Sequence, residues 1–408
     1  MSFRAKLFLL SLYCAIVLLL CAGQIRRLFV GPQQGTDGWE LWRRPVEYKK
    51  GFCMEPNALY FSGRNLKFFT SPAEEPLSEN DHEDTYRVTL VLHISGDYLD
   101  ERIVEQVENW NGPVSLSVYV IIPDEEIPCL AKKVYGLFKS HDVYGLSIHF
   151  FYEADQCDNS LSSSEDVGDV RCPEAEQKRK NSKQIASYPA NVGRNIARQF
   201  VKSRYILIAD FEHLFSGGFE RRMSELAKRE IEADNKTLLV YRIFEVSDKL
   251  ESNPRTKSEL AELLQNGSAV VFHDVYYRAG KAHHIPGLEG WLTKNEGKGD
   301  GISWRTHNFM RNNWEPQFVS SASIPLHDEA FPYSNRDNTC LRWELCRAGY
   351  EIALVDDLYM FHPGIKRPSR KSDKPRKITL RRFREALKAF KKRMDLEYPD
   401  TKKKCPKI

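Results

Sequence analysis

Two carboxylates one residue apart, Asp210-Phe211-Glu212, follow the apolar run Tyr205-Ile206-Leu207-Ile208-Ala209. If the run is a buried strand, both acids lie beyond its carboxyl end, where open α/β sheets bind ligands. Side chains two positions apart can reach one hard cation while Phe211 points elsewhere. Mg²⁺ or Mn²⁺ held by such oxygens can in turn hold a diphosphate. A second group, His362-Pro363-Gly364-Ile365-Lys366, ends the apolar stretch LYMF. A neutral imidazole can be a further metal ligand, and Lys366 can meet a phosphate. Gly364 lets the backbone approach closely. Singly, each has a plainer reading: an acidic loop after a strand, and a turn with a surface lysine.

The elements that must position these groups are legible from periodicity. RVTLVLHIS, VSLSVYVII (114–122) and YGLSIHFFYE (144–153) read as strands. YLDERIVEQVENW and LAKKVYGLFKSH between them read as helices. NVGRNIARQFV reads as a helix, followed by the strand YILIA (205–209). LLVYRIFEV (238–246), EIALVD and LYMFH (351–362) are further strands. Alternation of this kind predicts a doubly wound α/β sheet flanked by helices. Apolar residues at 380, 383, 387, 390 and 394 mark an amphipathic final helix that docks on the domain.

The chain has 408 residues, 41% apolar and 28% charged, which excludes a wholly disordered or collagen-like polymer. Its 60 basic and 56 acidic residues argue against a dedicated nucleic-acid binder, although 366–382 carries nine Lys/Arg against one Asp. Leu7 to Gly23 is an uncharged apolar run with Arg4 and Lys6 before it, read as a signal anchor rather than a cleaved signal peptide. Residues 1–23 are thus a cytoplasmic tip and transmembrane helix. Residues 24–84 are a stem, with GFCMEPNALYF (51–61) as a docked segment, and 85–408 form the lumenal domain. Asn235-Lys236-Thr237 and Asn266-Gly267-Ser268 are glycosylation sequons that suit a lumenal surface. Seven cysteines lie outside the apolar run, so at least one thiol is unpaired within the chain. Cys157 and Cys172, flanking a Ser/Asp-rich loop, are the expected disulfide.

The order YPANVGRNIARQFVKSRYILIADFEHLF, WEPQF, HDEAF, WELCRAGYEIALVDDLYMFHPGIK resembles glycosyltransferase family 49 from about Thr85 to Cys405. The resemblance implies a GT-A fold and inverting transfer from a UDP-sugar, glucuronic acid among the candidates, to a glycan acceptor. It implies Mn²⁺ or another divalent cation, and a single-pass type II Golgi membrane protein with no nucleic-acid partner. By resemblance Asp210, Glu212 and His362 are the metal ligands. Asn191, Arg194, Asn195 and Lys366 fall on the nucleotide side. Asp328, Glu329 and Glu344 are candidate catalytic acids, with Asp328 as the base. The chain departs from the family pattern at Glu212, in place of aspartate, and at Ser334-Asn335-Arg336-Asp337-Asn338. The Glu212 departure keeps open a non-catalytic, glycan-binding relative.

Overall fold

The computed structural model describes residues 46–54, 58–63, 65–69 and 85–408, apart from 139, 142, 156, 158–171, 173–180, 277–280, 295, 298–299 and 369–372. In chain order the strands are β1 Val46–Lys49, β2 Phe52–Met54, β3 Ala58–Gly63, β4 Asn65–Phe69, β5 Val88–Ser95, β6 Val114–Tyr119 and β7 Val143–Glu153. They continue as β8 Tyr205–Ile208, β9 Leu214–Phe215, β10 Thr237–Val246, β11 Ala269–Val271, β12 Ile302–Thr306, β13 Gln317–Ser321 and β14 Glu351–Pro363. All join one mixed sheet, with the main order β1-β2-β7-β6-β5-β8-β13-β10-β14-β12. The run β7-β6-β5-β8 is parallel, and the chain reverses its direction of travel across the sheet between β5 and β8. That switch point is where an open sheet leaves a crevice outside its strand ends.

Side-chain alternation assigns the two faces. Leu90, Leu92 and Ile94 of β5 pack with Ile103, Val107 and Trp110 of the helix Arg102–Trp110 and with Met223 and Leu226 of the helix Phe219–Ala233. Val91, on the opposite face, packs with Ala197 of the helix Ala190–Gln199 and Leu341 of the helix Thr339–Arg347. The 190–199 helix lies unusually close to the sheet. A Cβ on Gly193 would stand 3.2 Å from His93 and 3.1 Å from Ser117. Ser115 and Ser117 of β6 donate to the carbonyls of Ala197 and Gly193 at 2.7 and 2.8 Å.

The strands expected from periodicity are all present. EIALVD and LYMFH merge into β14, whose register against β10 slips between Leu354 and Tyr359. The bulged residues Asp356 and Asp357 turn inward and are buried. Asp357 meets Lys257 at 2.7 Å, and Asp356 meets Lys294 at 2.5 Å. The final helix spans Asp373–Glu397 and docks Ala386, Phe390 and Met394 against Phe331 and Trp343.

One expectation is extended and one is corrected. Within the stretch expected as stem, β2 and β3 pair with β7 and widen the sheet. Tyr48, Phe52 and Met54 pack on Phe151, Val192 and Ile196, so short aromatic strands achieve what a long periodic one normally does. The docking expected of the segment around Phe52 is therefore observed, and it is more extensive. The disulfide Cys157–Cys172 is not formed; the pairs are Cys53–Cys157, Cys129–Cys172 and Cys346–Cys405, leaving Cys340 free and buried. The β2–β7 pairing sets Cys53 opposite Tyr152, which brings Cys157 to it, while Cys172 meets the helix Pro123–Phe138. The expected anchor (7–23) and residues 24–45 and 70–84 of the expected stem lie outside the described residues; no described helix is long and apolar enough to cross a membrane.

Burial of His149 on β7 makes a pH prediction. Its ring stacks on Phe200 at 3.6 Å, and desolvation depresses its pKa from 6.5 to about 3. Between those values the unfolded chain binds the extra proton, so stability falls as pH drops below about 6.5. The group contributes a loss of about 2 kcal/mol between pH 8 and pH 5. Urea melts at the two pH values should show a difference smaller by about that amount in His149→Leu.

Candidate active site at the sheet switch point

Asp210 is the second residue past β8, beyond its carboxyl end, and its side chain is 57% exposed. Three neighbouring elements converge on it. From β5, His93 places Nε2 3.6 Å from Asp210 Oδ1. From the 190–199 helix, the buried Arg194 reaches Asp210 Oδ1 at 3.3 Å and Asp337 Oδ2 at 2.8 Å. From the loop before the 339–347 helix comes Asp337 itself. Crowding raises the cost of charge on Asp210, but the adjacent His93 ring and the field of Arg194 outweigh it and hold the carboxyl well below its usual range. Tyr188 stacks on His93 at 5.7 Å, their hydroxyl and Nδ1 lie 2.7 Å apart, and burial pushes the phenol far up.

Glu212 faces the other way. Its Oε2 lies 3.3 Å from His362 Nε2, while Oε1 is bound by Arg102. His362 is oriented by the turn after β14: its Nδ1 sits 3.2 Å from the Gly364 carbonyl, and Gly364 adopts φ +91°, a region glycine enters without penalty. Burial and the nearby Lys366 lower the His362 pKa, favouring the neutral ring. The Lys366 backbone N–H donates to Glu245 at 3.1 Å, and its exposed ammonium lies 5.3 Å from the Phe272 ring. His213 stands beside this group, 5.9 Å from His362 between ring centres, with Nδ1 3.1 Å from the Asp210 carbonyl. Its Nε2 is buried without a hydrogen-bond partner among the described residues, and burial depresses its pKa to about 3.

Two carboxylates, an imidazole 3.3 Å from one of them and an unpartnered ring nitrogen are the oxygen and nitrogen donor types that divalent cations take. Each carboxylate is turned onto its own arginine. Among the described residues no three His, Cys, Asp or Glu groups are gathered as a ready-made metal cage.

The structure separates the other sequence candidates. Asn191 and Asn195 are buried and brace the 327–337 loop: Asn191 donates to the Asp328 and Asp337 carbonyls at 2.8 and 2.9 Å, and Asn195 to Glu329 at 2.8 Å. Asp328, Glu329 and Glu344 line a different cavity, of about 950 Å³, with Lys49, Lys236 and Arg393. Arg393 clamps Glu344 through two bonds of 2.7 and 2.8 Å and reaches Asp328 at 3.3 Å; Glu329 is held by Lys49 and Tyr48. Asp337 is the acid that shares Arg194 with Asp210, and no role was expected of it. The signal available was its place in the stretch that departs from the family pattern. Both sequons, Asn235 and Asn266, are exposed.

Glu212 also carries backbone strain, with φ +80°. A non-glycine residue there costs about 1–2 kcal/mol, and strain of this kind collects at functional sites. Glu212→Gly should leave thermal stability unchanged or raise it by up to about 1 kcal/mol, against a comparable cost at an ordinary position. A clear drop in melting temperature would show instead that the carboxylate holds the loop.

At the sheet switch point two acids, Asp210 and Glu212, stand beside three imidazoles, His93, His213 and His362. The sequence model described as "Glycosyl-transferase for dystroglycan" matches residues 87–399, and the chain belongs to this family, glycosyltransferase family 49. Beta-1,4-glucuronyltransferase 1 of Danio rerio is 27% identical over 341 residues, covering 79% of this chain and 76% of that protein. The Homo sapiens counterpart is 26% identical, covering 78% and 75%. Xylosyl- and glucuronyltransferase LARGE1 of Gallus gallus is 22% identical, covering 79% of this chain but 37% of that longer protein. Among solved structures, GalNAc-T7 with UDP, GalNAc and Mn²⁺ overlaps 78% of this chain and 51% of its own at 9% identity; its TM-score of 0.37 is too low to bear on function.

Proposed function

We propose that this chain is a metal-dependent glycosyltransferase of GT-A type that moves a sugar, glucuronic acid first among the candidates, from a UDP-sugar to a glycan acceptor with inversion. The observation that carries the reading is that the carboxyl ends of β8 and β14 bring Asp210, Glu212 and His362 to one end of the sheet, the latter two 3.3 Å apart. Asp210, Glu212 and His362 would hold Mn²⁺ or a similar ion. When bound, such an ion supplies positive charge where the diphosphate departs. Lys366 adds a cation at the mouth of the same turn. Arg194 fixes Asp337 and Asp210 in one orientation, and Tyr188 and His93 wall the crevice. A carboxylate accepts the proton of the attacking hydroxyl. Asp337 is preferred to Asp328 for its position, because Arg194 links it to Asp210, whereas Asp328 lines the separate cavity. The Golgi location, type II topology and glycosylation at Asn235 and Asn266 belong to the same proposal, supported by the apolar run 7–23 and the exposed sequons.

The test is turnover of a panel of UDP-sugars with Mn²⁺ and with EDTA. We expect metal-dependent release of UDP with one donor, and none with EDTA. Asp337→Asn should lower kcat at least about 100-fold, the lower range of a general-base contribution, and Asp328→Asn far less. The reverse ranking would return the base to Asp328. A second reading, a glycan-binding relative without turnover, is favoured by the two arginines that already hold Asp210 and Glu212. Glycan binding with no hydrolysis of any donor would select it.

A further inference from the structure

The final helix presents a face that none of the site chemistry uses. Lys377, Arg381, Arg384, Lys388 and Lys391 follow one another at spacings of 4, 3, 4 and 3 and are all exposed. At 1.5 Å per residue they form a single stripe about 21 Å long. Arg381 pairs with Glu385, a fully solvated contact of the kind worth little. Glu385 is the one acid between 374 and 392. The other four have no ion-pair or hydrogen-bond partner among the described residues.

Where the stripe begins matters. The first turns of the helix are stitched to the loop that carries Asp337. Arg376 Nε donates to the Ser334 carbonyl at 2.9 Å, and Asn335 donates to the Arg376 carbonyl at 2.9 Å and to Thr379 at 2.6 Å. Ser334 and Arg336 hold positive φ, 65° and 59°, which fixes this short loop. Asp337, directly after Arg336, meets Arg194 beside Asp210. The stripe therefore starts beside the loop that carries Asp337, and the helix continues along that loop to Arg393, which reaches Asp328 at 3.3 Å.

We infer that this helix face is an exosite for the distal part of an anionic glycan acceptor, a chain bearing uronic-acid carboxylates that extends out of the site. The inference rests on the glycosyltransferase reading for its choice of polyanion. Cations about one helical turn apart match a flexible polymer with regularly spaced carboxylates and bind it through additive, salt-sensitive contacts. A lipid surface fits less well. The apolar face of this helix, Ala386, Phe390 and Met394, is already docked on Phe331 and Trp343, and the apolar residues left exposed, Ile378, Leu380 and Leu396, sit at its two ends and form no continuous face to insert. Nucleic acid fits less well too. Phe383 and Phe390 point to the core, and no aromatic ring stands in the stripe on which a base could stack.

The experiment uses the whole chain and needs no donor sugar. Binding is measured by calorimetry in low salt to hyaluronan oligosaccharides, which carry glucuronic acid, and to neutral dextran. Phosphatidylserine vesicles and a duplex DNA of equal charge are run beside them. We expect hyaluronan to bind, dextran not to bind, and affinity to fall at least tenfold in the triple variant Arg384→Glu, Lys388→Glu, Lys391→Glu. The milder Arg384→Gln, Lys388→Gln, Lys391→Gln should fall between, and circular dichroism should be unchanged in both. Equal hyaluronan affinity in wild type and the triple variant overturns the exosite. So does preferential binding of vesicles or of DNA. With a donor in hand, the triple variant should raise KM for long acidic acceptors and leave short ones alone. A chain that turns over donor but ignores hyaluronan refutes the exosite only. A chain that binds hyaluronan through the stripe but turns over no donor refutes only the catalytic reading.

Discussion

Asp210→Asn should lower turnover of the UDP-sugar at least about 100-fold while the protein stays folded. The expected loss is no smaller than the 10–100-fold cost seen when even an outer partner of a metal ligand is removed. The amide keeps the shape of the carboxylate beside His93, while Arg194 retains Asp337 as its counter-charge. Stability should therefore change little, because the Asp210 side chain is largely solvated. Initial rates with saturating Mn²⁺, beside a thermal melt, read both quantities. Unchanged turnover would remove Asp210 from the chemistry and with it the metal proposal as drawn.

Arg194→Ala should have the opposite profile, with a large effect on folding itself. The guanidinium is buried, and it satisfies Asp337, the Asn191 amide oxygen at 2.7 Å and Asp210 together. Removing it strands Asp337, whose side chain is only 10% exposed. Breaking a buried pair from one side costs about 3–5 kcal/mol, a large share of the 5–15 kcal/mol that holds a typical domain together. Urea unfolding at neutral pH measures it. The double variant Arg194→Met, Asp337→Leu should recover much of the loss, since no charge is then left uncompensated. If the single variant lost less than about 1 kcal/mol, water would be reaching the pair, and the crevice would be wetter than its packing indicates.

Much of this architecture can be read before any coordinates exist, because it is written in local periodicity. β5, β6, β7, β8 and β10 are apolar runs with few interruptions, and each was expected within a residue of where it lies except β6, which ends three residues early at Tyr119. The metal candidates were legible for the same reason: Asp210 and Glu212 follow a strand, and His362 ends another. What escaped is set by long-range partners. β1 to β4 are three to six residues each and owe their structure to the edge of β7, which no local pattern records. Cys157 was close in sequence to Cys172, but strand pairing brought it to Cys53. Asn191 and Asn195 sit where a ligand-facing edge was expected, yet their amides are turned into the loop at 327–337. Asp337 entered the site through Arg194, 143 residues away in sequence. Arg102 was read as one residue of an amphipathic helix, and only the fold brings it to Glu212.

The Cys53–Cys157 bond has a consequence for how the chain can be cut. Peptide-bond cleavage anywhere in 71–84, the acidic, proline-bearing stretch, would ordinarily free the domain from everything upstream of it. Here the upstream piece remains riveted through sulfur and held by strand pairing at the rim of the sheet. Such a nicked molecule runs as one species on a non-reducing gel and as two after reduction. Release of the domain from its leader is thereby gated by two chemistries in series, a protease and then a reductant, and in an oxidising compartment the first alone does not part them.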